Sequence, residues 1–459
     1  MERCFPDDFL WGAATSAYQI EGSPVRHGGG PSVWDTFCTL PGRTWRGQDG
    51  YHACEHYELM DEDVKLMKEI GLRSYRFSIS WPRVLPEGRG MVNHQGLDFY
   101  SRLVDRLLEA GIEPLVTLFH WDYPHELFLS GGWMNPDSPL WFRDYTATAV
   151  QALGDRVKKW ITLNEPQCFV NGHGNGYHAP GLTLDAVSMV RLIHHVLLSH
   201  GRAVQAVRDA GDAETEVGFA PVGITAIPQD GTTEAREAAW RYMETIHDFE
   251  PEKLAWNNSL WMDPVLTGSY PKQYFDHYGR YLPDSFEDDL GVISEPTDFL
   301  GLNIYHGQQV DLQGNAVGED ATSRIGEPIT ACNWPVTPEA LYWGPKYFFQ
   351  RYNKPIYITE NGISCRDFPD SNGVINDVQR ITYTEDYLAQ LARGIREGIP
   401  VKGYYHWSLM DNFEWSEGYR ERFGLIYVDF KTRRRIIKES GRWYRSVISQ
   451  RGAQITGKL

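Results

Sequence analysis

The sequence predicts a closed barrel of eight parallel strands wrapped in helices, a (β/α)8 TIM-barrel fold built as one domain over residues 1–459. Three observations lead there. A short apolar run, a polar loop and a longer helical pattern recur eight times. The runs are continuously apolar, as strands of a parallel sheet covered on both faces are. No Pro/Ser-rich linker, low-complexity tract or charge block divides the 459 residues. Eight such units over this length fit a closed barrel. An open doubly wound sheet is the alternative, but no Gly-rich phosphate loop follows the first run.

The units follow in order. FLWGAATSAYQI precedes DVKLMKEIG, and SYRFSIS precedes FYSRLVDRLLEAG, whose apolar residues fall at helical spacing. PLVTLFHW leads to DYTATAVQALG, and KWITLNEP to AVSMVRLIHHVLLSHGRAVQAV. EVGFAPVGI is followed by EAREAAWRYMETI, and DFLGLNIYHG by EALYWGPKYFFQRY. PIYITENGI leads to TEDYLAQLARGI, and VKGYYHWSLMDNF to a last helix around RWYRSVI. Insertions near 227–297 and 308–335 are long enough to wall a pocket.

Composition removes several function classes. With 44 basic and 61 acidic residues the formal net charge is −17. Such a chain gains nothing from the counterion release that drives nucleic-acid binding, so no nucleic-acid partner is expected. No apolar run approaches the length of a membrane span, and MERCFPDDFLWG lacks a basic-then-apolar leader pattern. Cys4, Cys38, Cys54, Cys168, Cys332 and Cys365 show no CxxC pairing and read as reduced thiols of a cytoplasmic protein. The sequon at Asn257 is then idle. Sixteen Trp and 25 Tyr suit flat sugar-binding faces, although a large core consumes them too.

In a barrel of this kind the chemistry lies at the C-terminal ends of the strands. Polar groups gather there: Gln19, Arg76, His120, Asn164 with Glu165, Asn303 with Tyr305, Glu360 with Asn361, and Trp407. Glu165 and Glu360 end the fourth and seventh strands, which the fold brings to one mouth. Two carboxyls facing across a pocket are the minimum equipment for cleaving a glycosidic bond. One protonates the departing oxygen while the other attacks or stabilises the sugar carbon. Arg76 and Tyr305 are placed to hold one of them ionised; the other, beside that charge, keeps its proton to higher pH. Either Glu alone is equally consistent with a helix cap or a structural ion pair.

The chain resembles glycoside hydrolase family 1, the retaining β-glucosidases, over nearly its whole length. TLNEP (162–166) and ITENG (358–362) are similar to that family's acid/base and nucleophile signatures. FLWGAATSAYQIEG (9–22), SYRFSISWPRV (74–84), LFHWDYP (118–124), LGLNIY (300–305) and HWSLMDNFEWSEGY (406–419) match further motifs in order. The resemblance implies that Glu165 is the acid/base and Glu360 the nucleophile, supported by Arg76, Asn303 and Tyr305. It implies that Asn164 binds the sugar's 2-hydroxyl, and that Gln19, His120 and Glu414 hold outer hydroxyls. Trp407 is then the stacking floor, Trp415 a further hydroxyl contact, and Trp121 and Phe423 part of the same substrate site. Trp334 resembles a platform on the leaving-group side. Without that resemblance Trp407 and Trp415, in an aromatic-rich strand, read as core, and His120 reads as a satisfied interior histidine.

The expected activity is hydrolysis of terminal β-D-glucosyl residues from small β-glucosides or cello-oligosaccharides, hence a place in cellulose degradation, with no cofactor and no metal. β-Galactosidase or β-fucosidase activity is the alternative within the family; a non-catalytic sugar-binding barrel is the alternative outside it. Both glutamates are present, which argues against the latter and against the thioglucosidase branch, which lacks the acid. Glu414, with Glu417 and Glu421 nearby, would repel a phosphate, so neutral hexoses are expected over 6-phospho-sugars. One departure concerns Gln167, where the family commonly has Trp; it lies toward the leaving-group site and exchanges a stacking face for a polar amide. HACEH (52–56) fits the H-x-x-E-H pattern of some zinc peptidases, with two His four apart on a helix, but has no evident third ligand.

Overall fold

The computed structural model describes residues 5–317, 326 and 328–455. Cys4 and part of the second predicted insertion lie outside the described residues. Eight strands form the barrel: β1 (Leu10–Ala14), β2 (Ser74–Ser78), β3 (Glu113–Phe119), β4 (Lys159–Asn164), β5 (Glu216–Ala220), β6 (Phe299–Asn303), β7 (Ile356–Asn361) and β8 (Val401–Trp407). They close in sequence order, with β8 hydrogen-bonded back to β1. Every neighbouring pair is parallel, so all C-terminal ends share one mouth. Ala14 stands opposite both Trp407 and Arg76, and Asn303 opposite Glu360.

Burial on both faces explains the unbroken apolar strands. Leu115, Ile161, Ala220, Phe299, Tyr357 and Tyr405 fill the barrel's interior, a cluster separate from the larger shell between strands and helices. That shell rests on α1 (His56–Ile70), α2 (His94–Glu109), α3 (Ser138–Leu153), α4 (Ala186–Ala210), α5 (Thr233–Glu244), α6 (Phe286–Ile293), α7 (Ala340–Tyr352), α8 (Val378–Arg396) and α9 (Glu439–Ser449). Their amphipathic stripes face the strands: in α2, Phe99, Tyr100, Leu103, Val104 and Leu107 are buried at helical spacing.

Two local readings change. The fifth helix pattern forms as α5 but packs on a small parallel sheet of Thr225–Pro228 and Gly307–Val310. On α4, beside the extensive contact with α3, the second neighbour is α6, which approaches so closely that a Cβ on Gly201 would lie 2.0 Å from the Val292 carbonyl oxygen. Periodicity reports that a helix has an apolar face, not which layer covers it. The first apolar run also divides: β1 stops at Ala14, and Gln19 sits on the short helix Ala17–Ile20.

The HACEH residues do not converge. His52 precedes α1 and pairs at 2.7 Å with Glu55, which is also held by Arg26. His56 starts α1 and is buried against Asp63, itself paired with Arg435. His194, His195 and His200 are buried packing residues of α4. The five described cysteines are free, and the sequon's Asn257 is buried with its amide donating to the Leu254 carbonyl. Among the described residues no helix is long and apolar enough to cross a membrane.

Candidate active site

A cavity of about 680 Å³ opens at the barrel mouth and holds Glu165 and Glu360. Another depression of about 660 Å³, behind the 363–379 loop, carries neither. Glu360 is the penultimate residue of β7, buried to 3% exposure. Gly362 explains the bend that follows: a Cβ there would meet the Trp407 carbonyl oxygen at 1.8 Å, so only glycine lets β7 and β8 converge at the mouth. Glu165 leaves β4 in the left-handed region (φ 44°, ψ 67°), and Pro166 starts a short helix behind it. Trp121 (φ 81°) and Trp415 (φ 50°) share that region. Such backbone costs on the order of 1–3 kcal/mol per non-glycine residue and persists where surrounding packing over-determines it.

The two carboxyls have different partners. Arg76 reaches up from β2, buried to 1%, and donates from Nη1 to Glu360 Oε1 at 2.6 Å. Tyr305 donates to Glu360 Oε2 at 2.7 Å. Glu165 has no cation in contact: Asn303 donates to its Oε1 at 3.0 Å and the Cys168 thiol to its Oε2 at 3.3 Å. Burial, reinforced by the charge of Glu360, pushes the Glu165 carboxyl up to about 8. Burial raises Glu360 too, but there Arg76 and Tyr305 pull back. Of the pair, Glu360 ionises first and Glu165 keeps the proton, because only Glu360 is in direct contact with the Arg76 guanidinium.

A chain of amides fixes the rest. Arg76 Nη2 and Asn303 Nδ2 both donate to Asn164 Oδ1, at 2.5 and 3.0 Å, which settles the orientation of that amide. Its Nδ2 then donates to His120 Nε2 at 3.1 Å. Burial and Arg76 hold His120 well below its usual range, hence neutral. Its proton therefore sits on Nδ1, a buried atom with no hydrogen-bond partner among the described residues. Thr359 donates to Asn303 Oδ1 at 2.7 Å and so aims Asn303 Nδ2 at Glu165. Sequence reasoning missed Thr359 and Cys168, because neither belongs to a chemical pattern.

At the other end, Gln19 Nε2 donates to Asn412 Oδ1, the Phe413 carbonyl and Glu414 Oε2 at 3.0, 2.9 and 3.4 Å. Trp407 lies parallel to the His120 ring, centroids 5.8 Å apart, and Trp415 stacks between Tyr18 and His120. Trp121, Trp407, Trp415 and Phe423 line the cavity. Trp334 packs edge-on to Tyr305 at 5.3 Å. Burial and Glu360 push the Glu414 carboxyl up to about 8, against the hydrogen bond from Trp407, which weakens the argument from its charge against a phosphate. The nearby cations are paired: Arg420 with Glu417 and Glu421, and Arg422 with Asp411.

Gln167 differs from expectation. It is fully buried, and both ends of its amide bond the Val222 backbone instead of facing the cavity. The helical turn begun at Pro166 rotates it away from the side on which Glu165 and Cys168 stand. Residues that sequence reasoning did not single out, among them Asn171, Tyr177, His178, Trp256 and His306, complete the cavity wall.

The family model for glycosyl hydrolase family 1 matches residues 1–453. β-Glucosidase A of Thermotoga maritima is 43% identical over 98% of this chain and 99% of its own length. β-Glucosidase A of Acetivibrio thermocellus is 42% identical with the same coverage. A bifunctional β-D-glucosidase/β-D-fucosidase of Bifidobacterium breve is 37% identical over 99% of this chain and its whole length. The solved structure of a Thermotoga maritima β-glucosidase in complex with glucoimidazole superposes with a TM-score of 0.88 at 43% identity, covering 98% of this chain and 99% of that one. With barrel, mouth and sequence agreeing from end to end, the chain belongs to glycosyl hydrolase family 1.

Proposed function

We propose that the chain is a retaining β-glucosidase that removes terminal β-D-glucosyl residues from small β-glucosides and cello-oligosaccharides. The observation that carries this reading is the unequal pair: Glu360 gripped by Arg76 and Tyr305, Glu165 buried without a cation. Glu360 attacks the anomeric carbon as the glycosidic bond breaks, and Glu165 passes its proton to the departing oxygen. The ester so formed removes the charge of Glu360, so the pKa of Glu165 falls and it becomes a base. It takes a proton from water as that oxygen bonds the anomeric carbon, and Glu360 leaves as carboxylate. Retention requires carboxyls roughly 5–5.5 Å apart.

Asn164, held by Arg76 and Asn303, offers its amide to the 2-hydroxyl, a bond that strengthens as the ring carbon becomes cationic. His120, Gln19 and Glu414 meet outer hydroxyls over the Trp407 face. A set of this kind tolerates epimers, and the bifunctional relative supports a secondary β-fucosidase activity. Free cysteines support a cytoplasmic setting. Proton NMR of the first-formed sugar tests the reading: β-glucose released ahead of mutarotation is expected, and α-glucose would refute it.

A further inference from the structure

Val222–Thr225 form a wall of the cavity after β5, across the barrel from β1 and β8, whose C-terminal ends carry Trp407 and lead on to Gln19 and Glu414. With Trp334 and Trp256 this wall encloses the side of the two glutamates away from the sugar-hydroxyl groups. Between β5 and the short strand Thr225–Pro228 the segment has little ladder of its own. Val222 forms a single bridge with Asn303, and the Gly223 N–H donates to the Asn303 carbonyl at 2.9 Å.

Two buried side-chain amides take over where strand pairing stops. Gln167 Oε1 accepts from the Val222 N–H at 3.1 Å, and its Nε2 donates to the Val222 carbonyl at 3.2 Å. Asn258 does the same at Ile224, accepting at 3.1 Å and donating at 2.8 Å, with a further bond to the Met243 carbonyl at 3.1 Å. Each amide satisfies the donor and the acceptor of one wall residue, as a neighbouring strand would. Gln167 also stands two residues after Glu165, so one clamp ties the acid/base loop to the wall.

We propose that Gln167 and Asn258 are positioning residues that fix the Val222–Thr225 wall and thereby set which leaving groups the enzyme accepts, without touching them. Apolar Val222 and Ile224 beside the Trp334 and Trp256 rings suit flat or ring-shaped leaving groups, a second sugar or an aryl group, over flexible chains. The inference rests on the proposed reading that the glucosyl ring lies at the His120–Glu414 end.

The test compares Gln167→Met and Asn258→Leu, which remove the clamps, with Gln167→Glu, which keeps the acceptor for the Val222 N–H. For each, kcat and KM are measured on cellobiose, 4-nitrophenyl β-glucoside and octyl β-glucoside, together with the Ki of gluconolactone, which fills only the sugar end. The expected result is that the ratio of kcat/KM values between cellobiose and octyl β-glucoside changes by roughly three- to tenfold, mostly in KM. The gluconolactone Ki should stay within about twofold, since neither amide is hydrogen-bonded to a group proposed to hold the sugar hydroxyls. Gln167→Glu should show a smaller change than Gln167→Met, and Asn258→Leu carries the comparison if Gln167→Met does not fold. Unchanged ratios in variants that hydrolyse all three substrates would overturn the proposal and leave the amides as purely structural. Wild-type protein that hydrolyses none of the three would instead refute the β-glucosidase reading.

Discussion

At the residue scale, the division of labour between the two glutamates follows from what touches each carboxylate. Cys168 belongs to that account although no motif announces it. Its thiol donates to Glu165 Oε2, while burial and the adjacent carboxylates raise its own pKa, so it remains a thiol. Donation to the ionised carboxylate lowers the Glu165 pKa, against burial and Glu360, which raise it; Asn303 and Arg76 act in the same sense as the thiol. Besides Glu165, Cys168 and Glu360, the titratable groups lining the cavity are Glu414, Glu417, His120, His178, His306, Tyr177, Tyr305, Cys332 and Arg420. Cys168→Ala should therefore move the alkaline limb of the kcat/KM profile upward, by about half a pH unit. A pH–rate series on a substrate with a poor leaving group checks this, and a limb that stays put would show that the thiol does not sense the acid's charge. Glu165, Glu360, Arg76 and Tyr305 were legible because strand ends and charge pairing are written in the sequence. The family resemblance puts Gln167, where a Trp is common, toward the leaving-group site, but the helical turn after left-handed Glu165 sends its side chain to the Val222 backbone instead.

At the element scale, the barrel strands were readable from continuous apolar runs, and the mouth from the polar residues that end them. The fifth unit was not, since α5 has an amphipathic face that serves the Thr225–Pro228 sheet as well as it would a barrel. Convergence of β7 and β8 at Gly362 is the element-level feature most exposed to test. Gly362→Ala places a methyl 1.8 Å from a backbone oxygen that cannot rotate away. The expected cost is about 1–3 kcal/mol of stability or more. It should come with a loss of kcat beyond what unfolding explains, because Glu360 lies two residues earlier. Denaturant titration and single-substrate kinetics on one preparation separate the two effects; a stable, fully active variant would contradict the packing described.

At the scale of the whole molecule, a site that holds carboxyls away from water costs the fold stability. Glu165 is shifted from 4.5 to about 8 by burial and Glu360. The folded state thus binds its proton more tightly than the unfolded chain, and stability must fall as pH rises through that window. Below about pH 4 both states are protonated and the difference vanishes. Glu165→Gln should therefore match the parent Tm at pH 4 and exceed it at pH 8, by roughly one to a few degrees for a chain of this size. Scanning calorimetry at the two pH values reads this, and a lower Tm at pH 8 would show that the ionised acid is stabilised in a way the structure lacks.

The central claim is that Glu360 bonds covalently to the sugar. Incubation with 2-deoxy-2-fluoro-β-glucosyl fluoride, which forms the ester and hydrolyses it slowly, followed by proteolysis and tandem mass spectrometry, tests it directly. One fluoroglucosyl group per chain is expected, on the peptide containing Glu360 and on that side chain. A label on any other residue, or time-dependent hydrolysis with no covalent adduct, would contradict it.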